Sequence, residues 1–208
     1  MNFSELELGI LKESVQKRMG ESRYSHTLGV EEAAIYLGKL LLPEQVSELR
    51  AAALLHDITK EITYEEHIKL LDDIGLKLTD EDLQTRAALH SFSAVPMITE
   101  QFNHYATPNI LSAVENHTLG RENMSTFDKI IFIADFIEAG RAYEGCKRTA
   151  EYIKHNLKET MSEADRLIIL DEAILMSIDF TIKSVLQRNQ RVHSRTLQLK
   201  KNINKHLF

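Results

Sequence analysis

Four places in the sequence put a histidine or an aspartate where an apolar residue would pack at lower cost: His26, the His56-Asp57 doublet, His117 and Asp135. Asp135 is the most informative. It interrupts the run IIFIADFI, and burying an unpartnered carboxylate is very unfavourable, so it demands a cation or several donors. Taken singly, each residue has an ordinary reading. A lone acid in a helix usually forms a salt bridge, here to Arg141 or Lys60, and a lone His26 or His117 on an apolar stripe is usually a satisfied core side chain. Taken together, two imidazoles and two carboxylates on rigid helices suit a divalent transition metal, with nitrogen ligands favouring iron, manganese or zinc over magnesium or calcium. Such an ion orients a water, lowers its pKa and neutralises charge on a phosphoryl oxygen.

These residues need rigid elements to hold them. Apolar residues recur at three- and four-residue spacing, and only 3 prolines and 8 glycines interrupt the chain, so an all-α protein is expected. Ser4 and Glu7 have capping-box spacing for a first helix that ends near Gly20. A second helix, from about Ser22 to Leu40, carries His26, Val30, Ala33 and Leu37 on one stripe, which turns His26 inward. The third starts at Leu42-Pro43 and places Val46, Leu49, Ala53 and His56 on a common face. Adjacent helical residues lie about 100° apart, so His56 and Asp57 reach one ion only at a helix end or a distorted turn, and Ile58-Thr59 is a candidate place for that end.

Further helices are expected at Tyr64 to Ile74, around Leu83, and at His90 to Phe102 with a break or fresh start at Pro96. Thr107-Pro108 caps another that ends at His117 to Gly120. Ser125 and Asp128 cap KIIFIADFIEAG, for which a buried strand is the alternative. The last helix runs from about Ser162 to Asn189, and the basic tail KKNINKHLF reads as solvated. No repeat or linker divides the chain, so a single domain over residues 1–208 is expected.

Composition narrows the class of partner. Of the 208 residues, 43% are hydrophobic and 27% charged, ordinary values for a globular protein with a real core. The formal net charge of −6 argues against a general nucleic-acid or membrane-surface binder, so an anionic substrate needs local cations or a metal. With one cysteine, Cys146, no intramolecular disulfide framework exists. The first residues mix acids through MNFSELELGILKESVQKRM, and no apolar run reaches the roughly 18 residues of a membrane span. A cytoplasmic location is expected.

The segments RYSH (Arg23 to His26), LLHDITK (Leu54 to Lys60) and IADFIEAGR (Ile133 to Arg141) closely resemble the HD-domain phosphohydrolase superfamily, an all-helical bundle with its metal site between helices. A bare His-Asp doublet is weak evidence. The wider set, with ALHS, AVENHTLG and MSTFDKIIFIADFIE added, resembles the YqeK family, bacterial hydrolases that split diadenosine tetraphosphate symmetrically into two ADP. The resemblance covers roughly residues 22–148. It implies His26, His56, Asp57 and Asp135 as metal ligands, with iron as the metal and manganese or another divalent ion as the alternative. It implies Asp57 and Lys60 as catalytic groups. Substrate contacts are implied for Arg23, for Asp57, Ile58, Thr59 and Lys60, and for His90 and His117, which are assigned to phosphate with a second metal left open. Thr59 is a candidate phosphate donor. The run Asp135, Phe136, Ile137, Glu138, Ala139, Gly140 and Arg141 is implied to line one ADP moiety. Ala139 stands where the family often has proline, Ser91 and Ser93 flank Phe92 where a glycine is common, and Leu119 replaces a commoner small or polar residue, all of which bear on loop shape rather than on the ligands.

Arg23, Lys60 and Arg141 lie three, three and six residues from these ligands. Exposed cations are usually only solvated, but a polyphosphate in an acidic protein has to be charge-matched, which favours convergence on phosphate. Rival readings are another HD-domain reaction on a nucleoside monophosphate or cyclic nucleotide, a non-catalytic nucleotide sensor, and a helical scaffold, which leaves Asp135 unexplained. A homodimer is compatible with the long C-terminal helix but not required by it.

Overall fold

Capping decides where the helices of this chain begin. The computed structural model describes residues 2–207, and among them there is no strand. Ser4 caps α1 (Glu5–Gln16), Thr63 caps α4 (Tyr64–Asp73), Thr79 caps α5 (Asp80–Gln84) and Ser125 caps α8 (Thr126–Ile137), each in a reciprocal box with an acid three residues on. These boxes satisfy backbone N–H groups that a helix start leaves unpaired. The box at Ser125 and Asp128 settles KIIFIADFI as helix. Thr107 caps α7 (Pro108–Asn116) with its hydroxyl, and Ser162 caps α10 (Glu163–Gln187).

Helix α2 (Glu21–Leu41) packs along α3 (Val46–Leu55) and α8, and α7 packs against α3, α6 (Leu89–Gln101) and α8. Pro43 opens a short 3-10 turn, after which α3 begins. Every residue from Ala51 to Leu55 is buried, so α3 is the central helix. Gly38 permits the α2–α3 contact, because a Cβ there would lie 2.7 Å from Leu49 Cδ1.

Two expectations need correction. Helix α6 (Leu89–Gln101) is continuous, with Pro96 inside it rather than at a break. An interior proline costs about 3 kcal/mol in a helix, and complete burial of Ala94 and Ile98 on either side offsets that cost. The C-terminal tail is also not simply solvated. It forms α11 (Ser194–Leu207), which buries Thr196, Leu199 and Ile203 and leaves most of the lysines outside. Arg195 fixes this helix to the turn after α7, reaching Asn116 Oδ1 at 2.6 Å and the Gly120 carbonyl at 3.1 Å. Helix α9 (Glu144–Asn156) was not anticipated: it buries only Gly145, Cys146, Thr149 and Ile153, a stripe with little apolar signal. No helix among the described residues is long and apolar enough to cross a membrane.

Candidate metal centre

Helix α3 ends at Leu55, before the doublet and short of the end expected at Ile58-Thr59, and His56 is its C-cap. Beyond it the backbone turns, so the side chains of His56 and Asp57 swing to the same side. His26 arrives from the first turns of α2, Asp135 from the last turn of α8, and His117 from the C-cap of α7. Asp57 sits at the centre, 3% exposed. Its Oδ2 lies 3.5 Å from His56 Nε2 and 3.7 Å from His26 Nε2, and its Oδ1 lies 3.1 Å from His90 Nε2 and 3.6 Å from His117 Nε2. Asp135 Oδ1 is 3.0 Å from His26 Nε2 and 3.9 Å from His56 Nε2. Donor atoms of His26, His56 and Asp135 therefore fall within 4.8 Å of one another, as do those of His56, Asp57 and His117.

The ordinary salt bridge considered for Asp135 exists: Arg141 Nη2 meets its Oδ1 at 2.5 Å and Arg141 Nε donates to its backbone carbonyl at 3.0 Å. It does not account for the rest. His26 Nε2, His56 Nε2 and Asp57 Oδ1 are buried without a hydrogen-bond partner. Their companion ring nitrogens explain why. His56 Nδ1 donates to the Ala53 carbonyl and His117 Nδ1 to the Val114 carbonyl, both at 2.6 Å, while His26 Nδ1 meets Glu138 Oε1 at 3.2 Å. An oxygen acceptor at Nδ1 holds the proton there and turns the Nε2 lone pair inward, the arrangement in which histidines bind metals. Ligands about 2.0–2.2 Å from a common ion stand roughly 3–4 Å apart, and the separations here run from 3.0 to 3.9 Å. The donors of His26, His56 and Asp135, with Asp57 against both imidazoles, have the chemistry and spacing that suit a divalent metal.

Electrostatics agree. Burial would raise Asp57, but His56, His117 and His90 hold its carboxyl well below the usual range. Burial would likewise raise Asp135, and His26 and Arg141 keep it ionised. The two carboxylates overcome the burial that depresses His56 and lift its imidazole above its ordinary value. That pull on a proton is a demand for positive charge that a cation meets. His90, by contrast, is pushed down by burial to about 3 and stays neutral.

The remaining sequence-derived residues fall in distinct places. Arg23 reaches Asp57 Oδ2 at 2.7 Å, leaving its Nε unpartnered. Lys60 Nζ lies 3.2 and 3.1 Å from the two ring nitrogens of His90, and burial depresses its pKa. His90 Nε2 is 3.0 Å from His117 Nε2. Read in the sequence as a phosphate donor, Thr59 gives its hydroxyl proton to the His90 carbonyl at 2.8 Å and so ties the α6 start to the end of α3. Ile58 is buried in the core, Phe136 and Ile137 pack against it, and Ala139 and Gly140 are exposed beside Arg141.

Glu138 is 5% exposed, with Oε1 on His26 and Oε2 accepting from the Gly140 N–H at 2.6 Å. Its carboxylate occupies the space Gly29 leaves open, where a Cβ would lie 2.5 Å from Oε2. Thr118, which sequence reasoning passed over, sets its hydroxyl 3.2 and 3.1 Å from the Nε2 atoms of His90 and His117. Its place directly after His117, at a helix end, was the available signal. Gly29→Ala and Glu138→Ala are each expected to weaken metal binding about 10–100-fold, while Glu138→Gln, whose amide oxygen still accepts from Nδ1, keeps most of it. Chelator competition measures this, and equal affinity in all three variants removes Glu138 from the site.

Comparison with known proteins points the same way. Residues 23–140 match the HD domain family. The chain is 32% identical to a symmetrical bis(5'-nucleosyl)-tetraphosphatase of Halalkalibacterium halodurans, over 88% of this chain and 89% of that one. It is 29% identical to a Staphylococcus aureus protein of the same name, over 82% and 86% of the two chains. Its fold superposes with a TM-score of 0.82 on a crystal structure from Clostridium acetobutylicum, described as a predicted HD superfamily hydrolase involved in NAD metabolism; that match has 30% identity and covers 99% of this chain and 100% of the other.

Proposed function

Because the chain belongs to the HD domain family, we propose that it hydrolyses diadenosine tetraphosphate symmetrically to two ADP, using a metal held by His26, His56, Asp57 and Asp135. The observation that carries this reading is the convergence of three buried, unpartnered ligand atoms, His26 Nε2, His56 Nε2 and Asp57 Oδ1, between Arg23, Lys60 and Arg141. The names of the relatives support the substrate. Iron is the metal proposed, with manganese as the alternative, since the imidazole and carboxylate donors suit both. When bound, the ion supplies Lewis-acid charge and a water of lowered pKa.

The chain's own groups do the rest. Asp57, held ionised with Oδ1 3.1 Å from His90 Nε2, uses its remaining lone pair to accept a hydrogen bond from the attacking water and so aims the water's own lone pair at phosphorus. The water oxygen bonds to one inner phosphorus while the bond from that same phosphorus to the central bridging oxygen breaks; the bridging oxygen leaves with the electron pair as the terminal oxygen of the second ADP, and the two protons of the water are released to solvent. Lys60 and Arg141 stabilise the charge gathering on phosphate oxygens, with His90 and His117 beside them, as preorganised dipoles and charges do. Arg23 Nε, without a partner, is available to a further oxygen. Residues Asp135 to Arg141 line one ADP moiety. The whole chain acts as one domain, which the core running from Phe3 to Ile203 supports.

Incubating iron-loaded protein with diadenosine tetraphosphate and separating the products tests the proposal. ADP as sole product is expected. AMP plus ATP means a different scissile bond, and binding of ADP with no turnover means a sensor.

A further inference from the structure

A symmetrical dinucleotide needs room for a nucleoside on both sides of the scissile bond. The segment from Asp135 to Arg141 accounts for one side only. On the other side of Asp57 stand His90 and His117, and beyond them Thr118, whose hydroxyl touches both rings and which is itself among the residues that line a cleft of about 870 Å³. That volume is within the roughly 300–1,000 Å³ of small-molecule sites. The cleft runs between the α5–α6 junction, the turn after α7, and the end of α10 with the segment leading into α11.

Its walls are of two kinds. Ala87, Leu119, Val185 and Val192 present apolar surface suited to a flat base. Arg86, Arg188 and Arg191 supply positive charge, while of the two acids present Glu81 is already engaged by Ser194, at 2.9 Å to its N–H and 2.5 Å to its hydroxyl, which leaves Asp80. Arg86 stacks its guanidinium 4.4 Å from the Tyr64 ring centroid, so that plane is already preorganised.

We propose that this cleft receives the second nucleoside half of the substrate, the base against the Leu119 and Val185 wall and the outer phosphate among Arg86, Arg188 and Arg191. The assignment rests on the hydrolase reading above. It gives α10 and α11, which lie beyond the matched residues 23–140, a part in substrate selection.

Two variants of the full metal-loaded chain test it, Ala87→Trp, which fills the cleft from an exposed wall position, and Arg191→Glu, which reverses its charge. Each is expected to raise KM for diadenosine tetraphosphate about tenfold or more at unchanged metal content, and to lower ADP binding by calorimetry from two per chain to one. Unchanged KM and two bound ADP in both variants overturn the assignment, as does a wild-type chain that binds only one ADP. Two ADP per wild-type chain, reduced to one in the variants but without turnover of diadenosine tetraphosphate, overturns the hydrolase reading and leaves the cleft as a nucleotide site.

Discussion

Asp57→Ala is expected to purify without bound metal and to lose at least about 10³-fold in turnover, more than one oxyanion-stabilising donor is usually worth. The carboxylate stands 3.1 to 3.7 Å from the Nε2 atoms of four histidines and 2.7 Å from Arg23, so nothing else in the site replaces it. Removing it leaves Arg23 without its partner and His26 and His56 with one carboxylate between them. Thermal melts separate a metal effect from a folding effect. At a metal concentration near 100 Kd the wild type gains about 2.7 kcal/mol, and the variant gains nothing. A variant that melts higher on adding metal, as the wild type does, removes Asp57 from the ligand set.

Lys60→Met is expected to keep its metal and lose about 10²–10³-fold in kcat. The lysine is partly buried, and among the described residues its ammonium lies within hydrogen-bond distance only of the His90 ring, whose one unprotonated nitrogen can accept, with no carboxylate within salt-bridge distance. A buried ammonium so placed has its charge under-compensated until an anion arrives, which is the circumstance in which its attraction to phosphate is strongest. Lys60→Arg is expected to rescue little, since a planar fork does not occupy the space of a compact ammonium. Steady-state kinetics on metal-loaded protein decides it. An exposed, merely solvated lysine changes kcat by less than about twofold on substitution.

The parts of the fold that were legible share one property: their cause is local. Ser125 and Asp128 announce α8 within four residues, and Thr107-Pro108 announces α7. That the helix must give way near the His56-Asp57 doublet follows from two side chains that cannot otherwise share an ion, but α3 stops at Leu55, ahead of the doublet and not at Ile58-Thr59. Helix α9 escaped notice because its buried stripe of Gly145, Cys146, Thr149 and Ile153 is scarcely apolar, and α11 because its lysines outnumber the two apolar residues, Leu199 and Ile203, that hold it down. Pro96 misled for the converse reason: its local cost is real and is outweighed by tertiary burial that no short window displays.

The sequence by itself determined the helical class, the four ligand candidates, and the cations spaced around them. Only the tertiary structure decided how the ligands face one another. His26 and Glu138 are 112 residues apart in the chain, and their contact exists because Gly29 lets the end of α8 close on α2. The tautomers of His56 and His117 depend on carbonyls of Ala53 and Val114, backbone groups present at every position and therefore silent in a sequence. Thr118 joins the centre to the neighbouring cleft for the same kind of reason. Capping and periodicity act over a turn of helix, whereas a metal site is a matter of a few tenths of an ångström between helices, which packing alone sets.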